Sequence, residues 1–119
     1  MESPGVQGAS SVGLATLVVH DVEEGAHVLH VVGEIDVYTA PEFEAEVAKA
    51  PSAGLVIVDL TPCRYMDSSG FHVLWRAAKA YGDRLRIAVV PGTGVNRVLH
   101  LMQLDSVTRV FPSVDEARK

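Results

Sequence analysis

The sequence predicts an α/β domain in which helices pack on a mixed β-sheet, and three observations lead there. Two β-rich runs, residues 15–20 and 27–32, flank the turn-like "VEEGA" and read as an N-terminal hairpin. Beyond the hairpin, stretches with helical spacing alternate with short apolar runs of strand length, the pattern of helices on a sheet. One such run, "GLVIVDL", is apolar without interruption, as expected of a strand covered on both faces.

Residues 1–13 are rich in Gly and Ser with few anchoring side chains, and are expected to form a mobile leader before a domain over 14–119. In "YTAPEFEAEVAKA", Ala40, Phe43, Val47 and Ala50 fall on one helical face. Thr39 suits the N-cap there and Pro41 the first helical position. Glu42, Glu44 and Glu46 crowd the end where the helix dipole favours acids. After the "GLVIVDL" strand, Phe71, Leu74, Trp75 and Ala78 predict a helix over 69–81, closed by Gly82 at C′. "LRIAVV" is the next strand. "PGTG" has no Gly-Lys-Ser/Thr ending, so it reads as a turn into a capped helix and not as a phosphate loop. Val95, Val98, Leu99 and Met102 mark that helix. "SVTRVF" is a short strand, and Ser113 caps a last helix, "VDEARK".

Composition narrows the function. At 119 residues the chain fits one domain with a core of its own. A net charge of −5 opposes a nucleic-acid binder, which would offer phosphate a basic face. The opening residues lack the n- and h-regions of a signal peptide, and no apolar stretch reaches the ~20 residues of a membrane span. The expectation is a soluble cytoplasmic domain. The five histidines lack zinc-finger spacing and are expected to be structural or surface groups. Cys63, the single cysteine, is expected to be a small buried hydrophobe, and Phe71 and Trp75 core residues. Arg97 and Arg109 read as surface charges.

Chemistry concentrates in "RYMDSSGFHVLW", where an extended segment hands over to a helix. Asp67, Ser68 and Ser69 are all good capping residues, worth about 1 kcal/mol against alanine. A hydrolase elbow needs G-x-S-x-G, but Met66 or Asp67 stands where the first glycine belongs. A helix N-terminus also tolerates phosphate, and a phosphoserine adds about −1.5 to −2 charges. Capping, nucleophile and modification site are thus all open to this pair.

Three segments together, "GEIDVYTAP" (33–41), "LVIVDLTPCRYMDSSG" (55–70) and "VNRVLHLMQLDSVTRVFPSVDEA" (95–117), resemble a bacterial STAS domain of the anti-sigma-factor antagonist kind. The resemblance runs from about Ala15 onward and implies a STAS-like mixed sheet. It implies a protein that is not an enzyme and binds an anti-sigma factor serine kinase while unphosphorylated, freeing a sigma factor. The kinase would modify Ser68, with Ser69 the alternative, and a PP2C-type serine phosphatase would reverse the modification. Asp36, Asp67, Ser69, Gly70 and His72 would form the partner surface. ATP and Mg²⁺ would belong to the kinase, leaving this chain without a cofactor or metal. A STAS scaffold without a phosphoswitch and a small serine hydrolase are the alternatives. Where relatives commonly follow "DSSG" with Leu-Gly, this chain has Phe71-His72, which puts a titratable group on the first helical turn.

Overall fold

A computed structural model gives the fold and describes residues 6–13 and 15–119. Among them are seven strands and four helices: β1 (Val6–Gly13), β2 (Thr16–Glu23), β3 (Ala26–Ile35), α1 (Ala40–Val47), β4 (Leu55–Asp59), β5 (Cys63–Met66), α2 (Ser68–Tyr81), β6 (Leu85–Ala88), α3 (Gly94–Leu101), β7 (Arg109–Phe111) and α4 (Val114–Arg118). The predicted α/β class and mixed sheet are present. The sheet order is β1-β2-β3-β4-β6-β7, antiparallel through β3 and parallel after it.

The hairpin is β2–β3, and its strands are longer than the predicted runs. Glu24 (φ 50°) and Gly25 (φ 80°) both lie in the left-handed region. That is the backbone of a two-residue type I′ connection, whose twist matches the strands it joins. One expectation is corrected here. Residues 6–13, assigned to a mobile leader, form β1 on the free edge of β2, with Ala9 opposite Val19 and Ser11 opposite Leu17. Composition hid the strand because β1 takes its hydrogen bonds from β2 and buries little of its own beyond Val12, at 2% exposure. Residues 1–5 of the expected leader, and Leu14, lie outside the described residues.

Side-chain alternation sends the central strands β3, β4 and β6 to two cores. Leu29 and Val31 of β3, Val56 and Val58 of β4, and Ile87 of β6 meet α1, α2 and α3, with Phe43, Leu74 and Leu99 fully buried among them. A side chain such as Phe43 contributes about 1.5–3 kcal/mol through burial. Val28, Ile57 and Ala88 face the other way, where Ala117 of the short α4 covers them. Both faces of "GLVIVDL" are therefore buried, as its unbroken apolar run predicts.

Helix ends differ in detail from expectation. α1 begins at Ala40, so Pro41 is its second residue, and Thr39 makes no side-chain cap. Thr93 and Ser113 do cap α3 and α4, accepting from the Asn96 and Glu116 amides. α3 stops at Leu101, which leaves Met102 outside the helix and partly exposed. The predicted "SVTRVF" strand is reduced to Arg109–Phe111, and its first residue, Ser106, ends a 3₁₀ turn over Leu104–Ser106.

Candidate functional site

The site is assembled by β5, a four-residue strand lying off the main order of the sheet. The first half of β3 pairs with β4, and its last residues pair with β5 instead: Gly33 with Cys63, Glu34 with Tyr65, Ile35 with Met66. Gly33 sits at the irregularity with φ 109°, and a Cβ there would overlap the Ala15 carbonyl oxygen. Only glycine allows the chain to bend at this point. The pairing ends with the Asp67 amide donating to the Ile35 carbonyl at 3.2 Å. "GEID" and "DSSG", separated by 30 residues of sequence, thereby end side by side.

Asp67 is the N-cap of α2. Its Oδ1 accepts from the Ser69 amide at 2.9 Å and from the Ser69 hydroxyl. Ser69 is therefore held by the cap. Ser68, the first residue of the helix, is exposed, and among the described residues its hydroxyl has no hydrogen-bond partner. No histidine hydrogen-bonds to either serine among the described residues, so the nucleophile–base pair that a hydrolase needs is not formed.

Asp36 organises the neighbouring turn. Its Oδ1 accepts from the amides of Tyr38 (2.9 Å) and Thr39 (3.0 Å), while the Thr39 hydroxyl accepts from the Asp36 amide at 2.9 Å. This reciprocal pair does what a cap would do for the start of α1. It also pushes two apolar side chains into solvent: Val37 is 63% exposed and Tyr38 86%. Tyr65 on β5 is 49% exposed. Sequence reasoning passed over these three. The signal available was an aromatic inside the polar turn "DVYT", a position from which a large side chain has no route to the core.

Gly70 is buried and points inward, unlike the partner-facing residue expected. A Cβ there would lie 2.7 Å from Met66 Cγ and 2.8 Å from Ile35 Cγ2. Its role is to let the first turn of α2 close onto β3 and β5. His72 is exposed one turn beyond Ser68, its ring edge-on to that of Phe71 with centroids 5.5 Å apart. Phe71 is buried and Trp75 half-buried.

The remaining histidines divide between structure and surface. His20, 8% exposed, bridges β2 to α1: its Nε2 lies 2.7 Å from Glu46 Oε1, and its Nδ1 3.0 Å from His27 Nε2. Burial raises the Glu46 carboxyl, but hydrogen bonds from Lys49, His20 and Ser10 bring it below its ordinary value. On the opposite face, His30 Nδ1 lies 2.6 Å from Asp59 Oδ2, and its Nε2 3.5 Å from Asp21 Oδ2. The hydrogen bond with Asp59 holds His30 above the usual imidazole value against the cost of burial. Burial pushes the Asp59 carboxyl up, yet its bonds with His30 and Thr61 leave it lowered. Cys63 is buried, and desolvation pushes its thiol up to about 11. Among the described residues no group of three or more His, Cys, Asp or Glu is placed to hold a metal ion. No helix among them is long and apolar enough to cross a membrane.

A family model for the STAS domain matches residues 6–117. The chain is 30% identical over 105 residues to the anti-sigma-F factor antagonist RsfB of Mycobacterium tuberculosis, covering 86% of this chain and 85% of that protein. It is 32% identical over 85 residues to the anti-sigma-B factor antagonist of Listeria monocytogenes, with 70% and 74% covered. The crystal structure of an anti-sigma factor antagonist from Mycobacterium paratuberculosis superposes with a TM-score of 0.72 at 27% identity, covering 99% of this chain and 96% of that one.

Proposed function

The chain belongs to the STAS domain family, and from that membership we propose that it is an anti-sigma factor antagonist switched by phosphorylation at Ser68. In the unphosphorylated state it binds an anti-sigma factor that is also a serine kinase, and so frees a sigma factor. The role is one of regulated binding in the cytoplasm. ATP and Mg²⁺ come with the kinase, and a PP2C-type phosphatase restores the binding form.

One observation carries the choice of residue. Of the two serines, only Ser68 offers an exposed hydroxyl with no partner among the described residues, whereas the Ser69 hydroxyl is bound to Asp67. A kinase needs an acceptor oxygen that it can reach without undoing a helix cap. Phosphate on Ser68 would stand beside the Asp67 cap, with Asp36 at the end of the adjoining strand. It would bring like charge and tightly held water to a surface built of Tyr38, Val37 and Tyr65. Loss of binding follows from that added repulsion and desolvation cost.

The test is a reconstitution with the anti-sigma kinase recovered from the native host. Wild type and Ser69→Ala should take up phosphate from ATP, and Ser68→Ala should not. Phosphorylated wild type should no longer be retained by the kinase in a pull-down. Equal incorporation into Ser68→Ala would overturn the assignment. Retention that ignores the state of Ser68 would favour a scaffold role instead.

A further inference from the structure

We propose that His72 is the intramolecular partner of the phosphoryl group on Ser68, drawing it along the exposed face of α2. This rests on the reading of Ser68 as the phosphoacceptor. Ser68 and His72 are four residues apart in one continuous helix, so their side chains are neighbours on its surface. Helical side chains lean toward the N-terminus, which brings the imidazole over the turn that carries Ser68. Both residues are exposed.

His72 is also uncommitted. Among the described residues it has no hydrogen bond or ion pair, only the edge contact with Phe71, which steadies the ring without using its nitrogens. The next cation along the same stripe, Arg76, is held by the Glu44 carboxylate of α1. Lys79 lies over the Trp75 ring, 5.4 Å from its centroid. The other charges of this end are engaged as well. Asp67 is occupied by Ser69, Asp36 by the Tyr38 and Thr39 amides, and Glu34 lies 3.7 Å from Arg64. A phosphate on Ser68 therefore finds one uncommitted imidazole within a helical turn among the described residues. A charge-assisted hydrogen bond from the imidazolium to a phosphate oxygen would stabilise the dianion.

The test reads the phosphate itself. Phosphoserine is installed at position 68 during translation of the full chain, and its second ionisation, near pH 6 for a free phosphoserine, is followed by ³¹P NMR. The wild-type midpoint should lie about 0.2–0.4 of a pH unit below that of His72→Gln, the size expected of an exposed helical ion pair. His72→Arg should restore the lower midpoint, which a purely structural role for the ring would not predict. Amide spectra of the three proteins check that the fold is shared, as expected for changes at an exposed position. Equal midpoints in wild type and His72→Gln, or no restoration by His72→Arg, would overturn the proposal. Direct installation separates the two readings, because a kinase that ignores Ser68 would count against the switch and leave this result standing.

Discussion

The Ser69 hydroxyl donates to the Asp67 carboxylate at the start of α2, and Ser68 between them in sequence is left with an exposed hydroxyl. Two adjacent serines thus have different tasks. Asp67→Ala should cost about 1 kcal/mol of stability through loss of the cap. Ser69→Ala should cost about 0.5–1.5 kcal/mol for one hydrogen bond. Ser68→Ala should stay within about 0.5 kcal/mol of wild type. Urea denaturation of the three variants measures this, and a Ser68→Ala loss as large as that of Asp67→Ala would contradict the division.

Buried charge on the sheet face opposite α1–α3 makes stability depend on pH. His30 is raised above 6.5 in the folded state, chiefly by its bond with Asp59. Its contribution is complete below pH 6.5 and fades as pH rises through the higher folded value. Asp59 is lowered below 3.8, so its contribution is complete above that value and is lost as acid titrates the folded carboxylate. His27 is depressed by burial and by His20, and so opposes His30. The informative quantity is the difference between wild type and His30→Gln in urea unfolding from pH 6 to 9. That difference should shrink as pH rises. A difference that is constant across the range would mean that no charge on His30 is involved.

Gly70 is expected to tolerate nothing larger than hydrogen. Gly70→Ala gains helix propensity of about 1 kcal/mol. Against this, its methyl group must displace Ile35 and Met66, at a cost of about 1–3 kcal/mol. A net loss of about 1 kcal/mol in denaturant unfolding is the expected result. A stabilised variant would show that β3 and β5 yield freely under α2.

Tyr38 has almost no intramolecular contact to lose. Tyr38→Ala should leave stability within about 0.5 kcal/mol of wild type. It should weaken binding to the anti-sigma partner proposed above by at least about fivefold, since tyrosine is enriched among the residues that dominate interfaces. Calorimetric titration decides the point, and unchanged affinity would remove the Asp36 turn from the interface.

Much of this architecture is legible in local pattern. "GLVIVDL" announces burial on both faces because a strand between two cores can afford no polar side chain until Asp59. Phe71, Leu74 and Ala78 announce α2 because a helix with one buried face must repeat its apolar residues every turn. Thr93 and Ser113 announce caps because the unpaired amides of a helix start need an acceptor nearby. β1 and β5 carry no such announcement. β1 is an edge strand with Gly, Ala and Ser at five of its eight positions, and "CRYM" is too short, with no alternation in burial, to reveal its partner.

By itself the sequence determined the four helices and the strands β2, β3, β4, β6 and β7, and that Asp67, Ser68 and Ser69 stand at a helix start. Those properties arise from neighbours within a turn or two, where periodicity and capping chemistry operate. Only the tertiary structure decided that β3 leaves β4 after His30 and joins β5 at Gly33, because the bend there depends on how closely the Ala15 carbonyl approaches. The bend sets Asp36 beside Asp67 and lays Gly70 against Ile35 and Met66. Which distant segments end side by side is a question of direction in space, and direction is fixed by packing.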